Sequence, residues 1–344
     1  MYRNWLYLIT LVFFSFSCGK DSSVKVGAEE EKDMPVRLVV GVGTPGTRAT
    51  GSTTDGAESK VNTLQVFVFK GDAVDGYGMA ENTKTITVSC TSGQRDIYAV
   101  VNAPVLTGIS IKDDLLSATS QLSSEISNFQ MMGYSTKTVE DDTSVDVVVK
   151  RLAARVVVGG IKNSLSDPSL AESFKLISVS LTNVVADVDY GRSADYEPKE
   201  WLNRRGYEQS NPLGTLDYDL INTDVASGAS YAEVHTFYSY PNAKDAVVGL
   251  EEGASGFTGR RARLVVKAEI GGVLYNYPIL LPALESNKSY EITCVDIMRV
   301  GNPDNGFHNP DDGDDVDEEV PVGSGIGVKI TIKNWEEATT PVSF

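Results

Sequence analysis

Cys18 carries the plainest chemistry in the chain, a thiol set where an export signal stops. Arg3 gives a positive start, Trp5 to Phe16 is an apolar run of 12 residues, and Ser15 and Ser17 flank Phe16 just before Cys18-Gly19. The run is too short to cross a bilayer and suits the hydrophobic core of a signal peptide. The order predicts a lipoprotein signal over residues 1–17, cut ahead of Cys18, whose new amino terminus and thiol then take acyl chains. More than one such chain, at about 0.8 kcal/mol per buried methylene, anchors a protein stably. The chain is therefore expected outside the cytoplasm, tethered to a membrane at its N-terminus.

Other groups that could do chemistry are sparse. His235 and His308 are far apart, which leaves little material for zinc sites or histidine-based triads. Cys90 and Cys294 do not make a disulfide framework, and each sits in a strand-like context as a small apolar residue. Asp311 to Glu319 gathers carboxylates that could hold calcium, but the spacing is not that of an EF-hand, and a solvated loop is the simpler reading. Gly41-Val42-Gly43 and Gly323 to Gly327 read as turns, since neither opens a helix or is followed by Lys-Ser/Thr. Between Ala186 and Ile221, Tyr190, Tyr196, Trp201, Tyr207 and Tyr218 stand among polar residues. Exposed, they could stack on sugar rings; otherwise they pin an excursion between strands to the body of the protein. No enzyme, cofactor or metal centre is expected.

Composition narrows the partners. The net charge is −17, and the removal of Met1 to Ser17 takes Arg3 with it. Such a surface repels nucleic acid and anionic lipid. Val300 to Val328 contains no Lys or Arg and concentrates the acidic excess. With 344 residues, 41% of them hydrophobic, the chain has room for two domains with real cores.

The elements that position these groups read as strands. Gly19 to Asp33 is a polar tether. Val36, Leu38, Val40 and Val42 then alternate along one face, and Gly43 to Gly51 is a run of turn formers. Val61 to Phe69 sets Leu64, Val66 and Val68 on one face and Phe67 and Phe69 on the other. Further strands are expected at 85–90, 96–102, 144–150, 153–158, 174–184, 232–240, 262–270, 273–281, 289–300 and 327–333, with one helix over Lys112 to Phe129. The fold class is all-β: two β-sandwich domains in tandem, divided near Arg151, with a minor helical segment.

Taken in order, several segments resemble the FimA-type fimbrillins of Bacteroidales. They are the signal, the first strand, a Thr-Arg in a Gly-rich loop, Val61 to Phe69, Ile97 to Pro104, Arg151 to Val156, Phe237 to Asn242, Lys288 to Ile292 and Val328 to Trp335. The resemblance implies a transthyretin-like pilin built as a propeptide (18–48), an N-terminal domain (49–150) and a C-terminal domain (151–344). It implies export as a lipoprotein to the outer membrane and cell surface, then cleavage between Arg48 and Ala49 by an arginine-specific protease. Loss of the strand bearing Val36, Leu38, Val40 and Val42 would open a groove for a strand from another fimbrial subunit. Donor candidates are Val328, Ile330 and Ile332, with Trp335, Val342 and Phe344 beyond them. A host or bacterial surface ligand is a further expected partner. Two other readings stand beside this one. The first is a monomeric glycan-binding surface lipoprotein using the 186–221 aromatics. The second is an anchor or tip subunit of the same fimbria.

Overall fold

The computed structural model of the chain describes residues 33–43, 58–125, 128–204, 218–245, 259–304 and 326–334. The first half runs through β1 (Pro35–Gly43), β2 (Thr63–Lys70), β3 (Ala73–Glu81), β4 (Thr85–Thr91) and β5 (Gly93–Val101). Helix α1 (Lys112–Ser117), β6 (Thr119–Gln121), a 3-10 turn at Leu122–Glu125, β7 (Met131–Val139), β8 (Thr143–Val148) and β9 (Lys150–Arg151) follow. The second half opens with β10 (Ala154–Val158), β11 (Ile161–Asn163), α2 (Pro168–Glu172), β12 (Lys175–Thr182), β13 (Val184–Val185), β14 (Asp187–Asp189) and β15 (Trp201–Leu202). It continues with β16 (Tyr218–Asp224), β17 (Ser230–Tyr231), β18 (His235–Ser239), β19 (Arg263–Ile270), β20 (Val273–Leu280), β21 (Lys288–Ile297), β22 (Asn302–Pro303) and β23 (Ile326–Asn334).

In the first half a three-stranded sheet, β4-β1-β8, faces a five-stranded sheet, β3-β2-β5-β7-β9. Val36, Leu38, Val40 and Val42 from the first meet Leu64, Val66, Val68, Ile97 and Ala99 from the second. The period-two pattern of β2 plays out as the sequence predicts. Leu64, Val66 and Val68 enter this core, while Phe67 and Phe69 turn to the opposite face and join a second one.

The second half pairs a sheet ordered β17-β11-β21-β10-β18, with β23 along β21, against one ordered β16-β12-β19-β20-β22. Val156, Phe237 and Ile292 from one side pack with Leu176, Leu264 and Val266 from the other. This core runs on without a break to Phe67, Phe69, Tyr98 and Met132, on the outer face of the first half's five-stranded sheet. The molecule is thus mostly β, with little helix.

The expected helix over Lys112 to Phe129 is corrected. Only Lys112–Ser117 is helical, because Ala118 turns to extended backbone and Thr119–Gln121 pairs antiparallel with Asp187–Asp189. A tertiary ladder there overrides a serine-weakened helical pattern. Strands β3 and β7 carried no clear alternation, and their glycines explain why. A Cβ at Gly76 would lie 2.5 Å from the Ser89 carbonyl oxygen, and one at Gly133 would lie 2.1 Å from that of Val148. Close backbone approach, not apolar periodicity, sets those positions.

Candidate functional site: the strand at the centre of the first sheet

β1 lies between two partners. It pairs antiparallel with β4, from Pro35↔Thr91 to Gly41↔Thr85, and parallel with β8, from Leu38↔Thr143 to Gly43↔Val148. Its removal would leave two unpaired edges, one on β4 and one on β8, with a furrow between them.

The inward side chains fill that furrow. Leu38, Val40 and Val42 are fully buried and Val36 nearly so, while Arg37 on the other face reaches out to Asp142. Burial of four such side chains is worth about 1.5–3 kcal/mol each, so about 6–12 kcal/mol together as an upper bound. That is on the order of the net stability of an ordinary domain. An empty furrow is therefore not a resting state for this sheet.

Both ends of β1 are tied. The Met34 N–H donates to Ser92 Oγ at 3.0 Å and the Ser92 N–H to the Met34 carbonyl at 2.8 Å. Arg95, almost wholly buried, donates through Nε to Asp75 at 2.7 Å and through Nη2 to Asp33 at 3.3 Å. The Lys70 ammonium beside Asp33, with Arg95 behind it, holds that carboxyl below the usual carboxylate range. Burial works against ionisation of Asp75, but the Thr91 N–H and Arg95 keep its carboxyl low as well. At the far end the Val42 N–H donates to Lys84 O at 2.9 Å, and the Val149 N–H to Gly43 O at 3.1 Å. Nothing in the sequence marks the Asp33–Arg95–Asp75 lock, whose members are scattered singly along polar stretches.

Cys90 sits opposite Val36 in the β1–β4 register and is buried in the same core, and burial pushes its thiol pKa up. Cys294, on β21, is half-buried, and both cysteines are free.

The C-terminal candidates separate into two groups. Val328, Ile330 and Ile332 lie on β23, which pairs antiparallel with β21 in the registers Val328↔Val295, Ile330↔Ile292 and Ile332↔Tyr290. Trp335, Val342 and Phe344 lie outside the described residues, as do Cys18, Arg48, Ala49, Tyr207 and the acidic run Asp311 to Glu319.

The aromatics proposed for sugar stacking are mostly engaged elsewhere. Tyr190 is corrected: it is 1% exposed, it donates to Gln130 Oε1, and burial raises its hydroxyl pKa. Tyr196 donates to the buried Asp187. Trp201 donates to the Pro198 carbonyl at 3.4 Å and closes against Gly259, where a Cβ would lie 2.4 Å from its ring. A cleft of about 360 Å³ lined by Lys199, Trp201, Arg204 and Lys244 remains beside it.

Residues 34–153, a stretch that opens at β1, match the family model of the major fimbrial subunit protein (FimA). Solved structures share the fold along nearly their whole length. A fimbrilin (FimA) from Porphyromonas gingivalis is 13% identical, with 89% of this chain and 99% of that chain covered and a TM-score of 0.58. The tip fimbrial protein Mfa3 of the same organism is 14% identical, with 88% and 100% covered and a TM-score of 0.52. A Bacteroides eggerthii protein assigned to cell adhesion is 19% identical, with 88% and 97% covered and a TM-score of 0.60. No curated protein sequence matches the chain.

Proposed function

We propose that the chain is a structural subunit of a cell-surface fimbria, exported as a lipoprotein acylated at Cys18 and assembled by protease-triggered strand exchange. Cleavage between Arg48 and Ala49 releases β1, and a strand from a neighbouring subunit takes its place. The observation that carries this reading is the position of β1: hydrogen-bonded on both sides, with its inward side chains buried, at the end of the chain that precedes Arg48. In the uncut chain β1 is tethered to its own groove at high effective concentration, and an incoming strand cannot compete. A cut removes the tether.

Each half, divided near Arg151, is then a transthyretin-like sandwich. The tail beyond β23, with Trp335, Val342 and Phe344, is the donor segment, and β23 completes its own sheet. Strand addition of this kind supplies backbone hydrogen bonds to both open edges and alternate side chains to the furrow. An arginine within a Gly-rich run of sequence behind β1 favours a cleaved subunit over one that keeps its lipid. The glycan-binding alternative loses Tyr190 to burial and keeps the cleft beside Trp201.

The test uses the purified precursor and a trypsin-like protease. Wild type should be cut after Arg48 and then polymerise, Arg48→Ala should stay monomeric, and deletion of Glu336 to Phe344 should block growth after cleavage. Fibres from Arg48→Ala, or a cut wild type that stays monomeric at high concentration, would overturn the proposal.

A further inference from the structure

Glu58 lies shortly after Arg48 in sequence, in a polar stretch with nothing to mark it, yet it is fully buried. Its Oε2 accepts from Arg155 Nη1 at 2.7 Å and its Oε1 from the Tyr238 hydroxyl at 2.6 Å. Its backbone carbonyl accepts from Arg151 Nε at 2.9 Å. Arg155 and Tyr238 belong to β10 and β18, adjacent strands of the second half. The residues that follow Glu58 are held by the first half instead. Asn102 Nδ2 donates to the Lys60 carbonyl at 2.7 Å, the Asn62 N–H donates to Asn102 Oδ1 at 2.8 Å, and Val61 enters the core beneath β1. Within five residues the chain is thus fixed to both halves.

A buried ion pair adds little net stability over an apolar substitute, but removal of one partner strands the other at a high cost. Such pairs hold a segment in one place rather than simply making it stable. Here the place is the downstream bank of the expected cut.

We propose that Glu58 is a positioning residue for processing: its clasp on Arg155 and Tyr238 anchors the start of the cut chain, so that cleavage after Arg48 frees β1 alone. This rests on the cleavage reading above. The Ala49 to Ala57 arm, rich in Gly, Ser and Thr, has no apolar alternation with which to refill the furrow. The anchor then keeps Val61 and β2 in place while the furrow is open.

The full-length chain is treated with trypsin, and the N-termini of the products are followed by intact mass over time. Wild type should yield a product starting at Ala49 that persists, because the exposed Lys60 is pinned between Glu58 and Val61. Glu58→Gln keeps the shape and removes the charge. It should reach the same product and then lose Ala49 to Lys60 about tenfold faster or more, since cleavage there tracks local opening. Tyr238→Phe deletes one hydrogen bond and should give a smaller increase; it carries the test if Glu58→Gln does not fold. Persistence of the Ala49 product in the folded variants as long as in wild type would overturn the anchor. A wild type never cut after Arg48 would instead overturn the cleavage reading. The anchor is then judged on the Lys60 bond of the intact chain, which the variants must still open faster.

Discussion

β1 and β23 are both nine-residue strands near the ends of the described chain, and their settings are opposite. β1 is enclosed by β4 and β8, whereas β23 has one partner among the described residues, β21. Loss of β23 would bare one edge of a six-stranded sheet, while loss of β1 splits a three-stranded sheet in two. In the exchange proposed above, the strand released is thus the one whose loss does most damage to its sheet. An edge strand such as β23 is bordered on one side only.

The largest effect that could break this comparison is exposure of the furrow. In a Cys294→Ser background, Cys90 should resist a thiol reagent in the precursor and react once β1 has been cut and removed. Protection should return when a subunit strand fills the groove. A Cys90 that reacts equally in precursor and cut protein would mean that β1 does not cover this core. Next in size is Leu38→Ala. It should cost the precursor about 2–5 kcal/mol by urea unfolding and leave the assembled, cut form unchanged, because the residue has departed with β1.

A pH effect at the junction of the halves supplies a control. Burial pushes the Glu125 carboxyl up to about 8, against hydrogen bonds from Tyr240 and the Gln130 N–H and the charge of Arg151. Between about pH 4.5 and 8 the folded protein therefore holds a proton that the unfolded chain releases. Stability should fall as pH rises through that window, by at most about 1.4 kcal/mol per unit. Glu125→Gln should flatten the slope, and wild type should show the same slope before and after cleavage, since the Glu125 carboxylate is bonded to Tyr240 and the Gln130 N–H and not to β1. The smallest effect is expected from Arg37→Ala. Its pair with Asp142 is about two-thirds exposed on both sides, so the melting temperature should not move measurably.

Much of this comparison was legible in the sequence. Val36, Leu38, Val40 and Val42 alternate because one face of β1 meets a core and the other meets solvent, and the pattern follows from period two alone. β2 was legible on both faces for the same reason. The pairing order was not legible: the valines of β1 would look the same on an edge strand as on a central one, and only the register with β8 reveals the second partner. Nor could Glu58 or Glu125 be picked out, since a lone carboxylate in a polar stretch shows nothing of the partners 97 and 115 positions away that meet it in the fold. Tyr190 misled the reading because its neighbours are polar, although those neighbours, Asp187 and Asp189, are themselves buried.

The parallel pairing of β1 with β8 also bears on how the chain folds. Arg37 and Asp142 sit 105 positions apart, so the first sheet cannot close until most of the first half has emerged. Long-range pairing of this kind slows folding. β1 is the strand that β4 and β8 share, so a chain without it has nothing to join the two. Such a subunit, once unfolded, should fail to regain its structure alone on dilution from denaturant, while the uncut precursor should refold.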